Sequence, residues 1–272
     1  MFAPTPCKIS TITATGNVNS LINLDVLYEN VTISPSIVYI EYGKQKNDKC
    51  FRGVNQMTKK KLKNKEYKRF DNQVTCIVFS DDKYVNVKMF KNGKIQMTGL
   101  KRVNQGRHII DIIIDNLIDI YNRGFTNIVE DHTVLKNIDY MIRLINSDFR
   151  VGIEIKRDKL NKLVQNTYNV LSSFEPCIYP GVKIQFFWKE NGTKDGICKC
   201  TGYCDGKGKH NDCKKITIAV FQSGCIIITG AQTLEQISDA YRFICKLIKK
   251  NIIEIEKKNQ SLANLSLISD KI

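Results

Sequence analysis

The chain has 272 residues, 42% of them hydrophobic, which is enough for one large or two smaller cored domains, and no apolar run is long enough to span a bilayer. Its 42 Lys and Arg against 27 Asp and Glu leave a formal charge of +15, which favours a polyanionic partner such as nucleic acid or, secondarily, an anionic membrane surface. Met1 to Cys7 lacks the basic region and apolar run of a secretory signal, so an intracellular protein with reduced cysteines or a metal site is expected, not a disulfide framework.

In chain order, Thr11 to Val18 is Thr-rich and predicts a strand, followed by a short helix around Leu24 to Tyr28. Lys59 to Arg69 is a dense basic run with the character of a loop, and Gln73 to Phe79 predicts an apolar, extra strand. Val87 to Gly99 alternates around Asn92-Gly93, a strong hairpin signal because both residues tolerate positive φ. A helix is expected to start near Asn104, with Ile109, Ile110, Ile113, Leu117 and Ile120 on one face. Tyr140 to Ile155 alternates in part, and the helix after it carries Leu160, Leu163, Val164 and Tyr168. A second hairpin, Ile218 to Gly230, turns at Ser223-Gly224. It leads to a helix starting near Thr233 that buries Ile237, Ala240, Tyr241, Ile244 and Ile248 and exposes Glu235, Asp239, Arg242, Lys246 and Lys249. After Asn251 the tail is polar with scattered Ile and Leu.

The two hairpins repeat one another. Both carry Phe-x-(Asn/Ser)-Gly-x-Ile-x-(Met/Ile)-Thr-Gly at an offset of 131 residues, from Phe90 to Phe221 and from Gly99 to Gly230. Each half therefore predicts strand, helix, several strands, helix. The fold class is α+β with two pseudo-symmetric repeats, whose antiparallel strands bury one face under helices and leave the other as a binding surface.

These residues resemble a known family. Phe221 to Ala231 is similar to the signature hairpin of the TATA-binding protein, and Ser172 to Gly181 to the loop before that family's second-repeat strand. Thr11 to Thr15 resembles its first strand and Arg123-Gly124-Phe125 the end of its first repeat, while the Ile/Asn/Lys-rich style resembles copies encoded by large DNA viruses. The resemblance implies a curved antiparallel sheet, a saddle with helices on the convex face. Residues 8–125 would form the first repeat, with an insertion at about 43–79, and 138–253 the second, with a Cys-rich insertion at about 189–215; 254–272 would be a tail.

Function and site residues come with the same resemblance. It implies non-enzymatic binding in the minor groove, with apolar wedges opening base steps and bending promoter DNA. Phe90 and Phe221 match wedge positions, although packing in a core is the alternative, and Tyr179 stands where the family has another wedge Phe. The corresponding first-repeat position, matched near Pro35 to Ile37, has no aromatic residue. Thr98, Thr229 and Ile227 would line the groove, with Lys88 and Gln96 in place of apolar residues. Thr11 takes the first of two central Asn positions, and either Leu144 or Asn146 the second. Lys101 would contact the DNA backbone. Glu175 marks the site where the family docks a transcription factor IIB-like partner on the way to RNA polymerase, or is simply an exposed loop acid.

The second insertion carries Cys198, Cys200, Cys204 and Cys213 with His210 nearby, spaced Cys-x-Cys-x3-Cys-x8-Cys. One structural zinc, free thiols and a disulfide all remain open there, while Cys50 and Cys76 are lone and structural in character. No phosphate-binding Gly-x4-Gly-Lys-Ser/Thr loop or His-Glu-x2-His site occurs, and the three histidines are scattered, so an enzyme is not expected. The expected partner is AT-rich duplex DNA, in the nucleus or a cytoplasmic viral factory, with packaging in a virion open. A protein-interaction scaffold of the same fold and an RNA-binding protein are the rival expectations.

Overall fold

The structure is a computed structural model describing residues 2–43, 50–57, 70–209 and 212–257; the basic run Lys59 to Arg69 and most of the tail lie outside these residues. The chain divides into two compact units, Thr11–Leu144 and Met1–Ser10 with Ile145–Ile272.

The unit of residues 11–144 is built on β1 (Lys8–Asn17), β2 (Ile37–Tyr42), β3 (Phe51–Gly53), β4 (Gln73–Ser80), β5 (Lys83–Phe90) and β6 (Lys94–Leu100). The antiparallel order is β3-β2-β4-β5-β6-β1. Helices α1 (Leu24–Asn30) and α2 (Gln105–Asn122) cover one face. The apolar period of α2 explains this, because Ile109, Ile110, Ile113, Leu117 and Ile120 all reach 1% exposure or less. Val87, Met89, Ile95 and Met97 meet that helical face, and Lys88, Phe90, Gln96 and Thr98, alternating with them, point to the other side.

The unit carrying residues 145–257 repeats this plan. Strand β7 (Ile138–Arg150), β8 (Ser172–Ser173), β9 (Val182–Trp188), β10 (Lys214–Val220) and β11 (Cys225–Ala231) run in the order β8-β9-β10-β11-β7. Helices α3 (Arg157–Asn166), α4 (Leu234–Lys250) and α5 (Ile252–Ile255) lie on one face, α4 burying Ile237, Ala240, Ile244, Leu247 and Ile248. Each such Ile or Leu contributes about 2 kcal/mol on removal from water, so this stripe fixes which face of the sheet is left bare. Residues 3 and 5 join this unit by donating backbone bonds to the carbonyls of Val151 and Arg150.

The two hairpins are alike in detail. In each, the turn glycine donates to the carbonyl of the hairpin Phe, Gly93 to Phe90 at 2.9 Å and Gly224 to Phe221 at 3.0 Å. The ladders then skip a residue at each Thr-Gly pair, a bulge that bends the strand into the following helix. A second repeat device escaped sequence analysis. Gln105 (2% exposed) and Gln236 (6% exposed), again 131 residues apart, accept the backbone N–H of Lys101 at 2.8 Å and of Gln232 at 2.7 Å. Gln105 also donates to the Ser80 carbonyl at 2.8 Å. Gln105→Ala leaves both backbone groups without their partner and is expected to destabilise by roughly 1–3 kcal/mol, measured by urea unfolding; Gln105→Glu keeps the acceptor alone and should fall between.

The strand predicted at Gln73 to Phe79 is β4, but it is not an addition at the margin. It borders β5 as β9 borders β10, while β2 takes the outer place of β8 and β3 is the further strand.

Candidate nucleic-acid interface

On the helix-free face of residues 11–144, Lys88 lies opposite Gln96 and Thr98 opposite Asn86 and Thr13. On that of the other unit, Ala219 lies opposite Ile227 and Thr217 opposite Thr229. The repeat thus places Lys88 and Gln96 where the second unit has apolar Ala219 and Ile227. Phe90 and Phe221 are half-buried at the end of β5 and just beyond β10, outside the fully buried core.

The second-unit aromatic pair is assembled. The Tyr179 and Phe221 rings stand 5.7 Å apart about Gly181, where any Cβ would come within 3.0 Å of the Tyr179 ring. The Lys183 ammonium sits 4.3 Å from the Tyr179 ring centre. Arg157, at the start of α3, holds the loop in place: it donates to the Pro180 carbonyl and to the Gln222 side chain (3.2 Å), and covers the Phe174 ring at 5.0 Å. The exposed Glu175 caps a turn, its carbonyl accepting the Ile178 and Tyr179 N–H groups.

In the first unit, residues 35–37 lead into β2, which begins at Ile37 and does not border β5. Gln73 pairs with Phe90, just as Gly181 falls one step beyond the Val182–Val220 pair and therefore opposite Phe221. Counting back from these partners reaches Tyr179 after two residues and Phe70 after three. Phe70 is 64% exposed. An exposed aromatic thus stands on the approach to β4, whereas residues 35–37 carry none.

Asn146 accepts a hydrogen bond from the Thr229 hydroxyl and so joins Thr229 on the bare face. Thr11 and Lys101 lie at the start of the first unit's β1 segment and just past β6 respectively, Lys101 exposed. Two charged residues of β7 carry no signal in the sequence. Asp148 stands opposite Ile227 and accepts the Ser10 hydroxyl. Arg143 donates to the Thr15 hydroxyl at 2.8 Å, and Thr15 is the partner of Gln96.

The cysteine loop rises from the far ends of β9 and β10. Cys198, Cys200, Cys204 and Cys213 bring their sulfurs within 4.8 Å of one another and could hold a metal ion; His210 lies outside the described residues. Burial pushes the Cys213 thiol up to about 12 and raises Cys204, while the Cys213 amide, donating to Cys200, lowers that thiol. Cys50 and Cys76 are buried elsewhere, Cys76 raised to about 12 by desolvation, which makes it an inert thiol.

The loop is tied to α4 through Asp239, only 4% exposed. Its carboxylate accepts the Trp188 indole N–H at 2.7 Å and faces Arg242 and the Lys194 ammonium at 3.6 Å. Burial alone would raise this carboxyl, but the indole, Arg242 and Lys194 outweigh it and hold it below its usual 3.8. A depressed folded pKa contributes stability above the unfolded value and loses it as pH falls through the folded one. Emission from Trp188, the single Trp of the chain, should therefore shift as pH falls below about 4. Asp239→Asn should remove that acid step.

Comparisons with known proteins agree with this geometry. The family model for transcription factor TFIID (or TATA-binding protein, TBP) matches residues 140–251. A TATA-box-binding protein-like protein of Acanthamoeba polyphaga mimivirus is 30% identical over 271 residues, spanning 96% of this chain and 70% of the relative. Methanococcus jannaschii TBP shares the fold, an open antiparallel sheet with a few helices. Its TM-score is 0.54 over 90% of this chain and 99% of that structure, at 17% identity.

Proposed function

The chain belongs to the TATA-binding protein family, and from that premise we propose that it binds AT-rich promoter DNA in the minor groove, bends it, and recruits transcription machinery without catalysis. One observation carries this reading: both units present the same hairpin, with an incompletely buried Phe at its end, on the face that the helices leave bare. Phe90, Phe221 and Tyr179, joined by Phe70, act as wedges; apolar insertion kinks DNA toward the major groove, a mechanism that belongs to the family itself. Thr98, Thr229, Ile227 and Asn146 line the groove, while Lys88, Gln96, Arg143 and Lys101 reach acceptors or phosphates. Residues 8–125 and 138–253 act as the two repeats. Glu175 docks a transcription factor IIB-like protein that brings in RNA polymerase, inside the nucleus or a viral factory, with one structural zinc in the cysteine loop.

Asp148 favours a second reading, a scaffold of the same fold with weakened DNA binding. The minor-groove edge of an A·T pair offers only acceptors, which repel a carboxylate. Asp148→Asn is expected to tighten binding to AT-rich duplex several-fold, measured by fluorescence anisotropy at fixed salt. Unchanged affinity would place that residue outside the contact. The direct test uses labelled AT-rich, GC-rich and RNA duplexes across a salt series. Bending of AT-rich DNA with a negative salt slope supports the proposal; binding without bending, or none, transfers the function to the scaffold.

A further inference from the structure

Residues 189–212 make a long excursion between β9 and β10, and hydrophobic burial does not explain how they hold a shape. Among the described residues of this stretch only Gly196 and Gly206 are buried, and neither has a side chain to bury. Two ion pairs within the loop, Asp195 with Lys199 at 2.7 Å and Asp205 with Lys207 at 3.0 Å, are largely exposed and contribute little. Yet four thiols converge from three parts of the segment and from its junction with β10.

We propose that Cys198, Cys200, Cys204 and Cys213 bind one zinc ion as four thiolates, and that this centre folds the loop into a clasp on the end of β9–β10 remote from the aromatic wedges. The sulfurs lie within 4.8 Å of one another, with Cys200 and Cys213 at 3.5 Å. Zinc–sulfur bonds of about 2.3 Å in a tetrahedron set sulfurs about 3.8 Å apart, so small adjustments close the shell. Backbone donors are already in place around it. The Cys213 amide points at Cys200, and the Gly206 and Cys213 amides at Cys204, as second-shell donors do around thiolate metals. Binding releases four protons to solvent and leaves a centre of net charge −2, flanked in sequence by Lys199 and Lys214. Four protein ligands leave no open position, so the role is structural.

The clasp closes over the second unit. Gly196 packs on Phe186 and Phe243, and Lys194 reaches Asp239 of α4. Strand β9 runs from Val182 near Tyr179 to Trp188 at the clasp, about 20 Å at the usual rise per residue. Metal loss therefore loosens the loop and leaves the wedge face standing.

The test uses the full chain purified without chelator. Elemental analysis should find about one zinc per chain, lost in Cys198→Ser with Cys204→Ser. Cobalt(II) substituted into wild type should give the thiolate charge-transfer and visible bands of a tetrahedral tetrathiolate, a readout that stands even if the variant misfolds. Chelation should shift Trp188 emission while DNA binding persists within about twofold. Zinc-free protein without the cobalt bands, iron in place of zinc, or a disulfide between these cysteines in protein purified under reducing conditions would each overturn the assignment. Metal content is read independently of DNA, so the centre and the DNA-binding function succeed or fail separately.

Discussion

Changing Phe90 and Phe221 together to alanine is expected to remove most of the bend imposed on an AT-rich duplex, while the salt-dependent attraction to phosphates remains. The two effects separate because they have different sources. Opening a base step needs an apolar body to occupy the gap, whereas counterion release depends only on the Lys and Arg residues. Affinity at moderate salt should fall roughly ten- to a hundredfold, about 1.4–2.8 kcal/mol, with an unchanged salt slope. Both rings are half-buried at strand ends and not in the core, so the thermal midpoint should move little. Phe221→Ala should weaken more than Phe90→Ala, since it also strips the support from Tyr179, 5.7 Å away. Resonance energy transfer between dyes at the duplex ends gives the bend directly. A double variant that bends as well as wild type would remove the wedges from the mechanism, and the Phe70→Ala variant tests the fourth position by the same readout.

The hairpin turns should be the most sensitive points of the fold. A Cβ on Gly224 would come within 2.2 Å of the Ile153 carbonyl oxygen, and one on Gly93 within 2.2 Å of the Ser20 oxygen. Both obstacles are backbone, which cannot rotate away, and both glycines have left-handed φ, +72° and +75°. Gly224→Ala is therefore expected to cost roughly 3 kcal/mol, combining about 1 for the conformation with about 2 for the displaced backbone. Unfolding in urea measures the loss. Gly224 follows Phe221 by three residues, so the variant should also lose bending at temperatures where it is still folded. An alanine tolerated at both turns would mean that Ser20 and Ile153 are not held as the structure has them.

Much of the fold was legible because its signals are local. Asn92-Gly93 and Ser223-Gly224 state a turn within two residues, and the Ile periods of α2 and α4 state a helix within a few turns. Their recurrence 131 residues apart added the pseudo-symmetry, and with it Phe90 and Thr98 on one face of the first repeat and Phe221, Thr229 and Ile227 on the matching face of the second. Strand pairing is not local. Between Tyr42 and Gln73 the chain makes an excursion, and nothing in the residues themselves says whether β2 or β4 will lie beside β5. Matching by order placed the first-repeat wedge at residues 35–37, whereas the strand that pairs with the Phe90 end of β5 is β4, approached through Phe70.

Element types, the two-repeat plan, the basic charge and the spacing of the four cysteines are all readable along the chain, because turn chemistry, apolar period and composition act over short distances. Which side chains share the bare faces was settled by long-range strand pairing. In β7 the Tyr140 hydroxyl reaches back to Val103 ahead of α2, yet Ile145, Ser147 and Phe149 are the buried set. A strand that changes the parity of its buried side cannot be assigned from alternation, since side-chain direction has a period of two and one slip reverses it. That is why Asp148 and Arg143 stayed hidden. The convergence of Cys198, Cys200, Cys204 and Cys213 is a closure of the same kind: eight residues separate the last two thiols, and only the folded path between β9 and β10 brings them within reach of one ion.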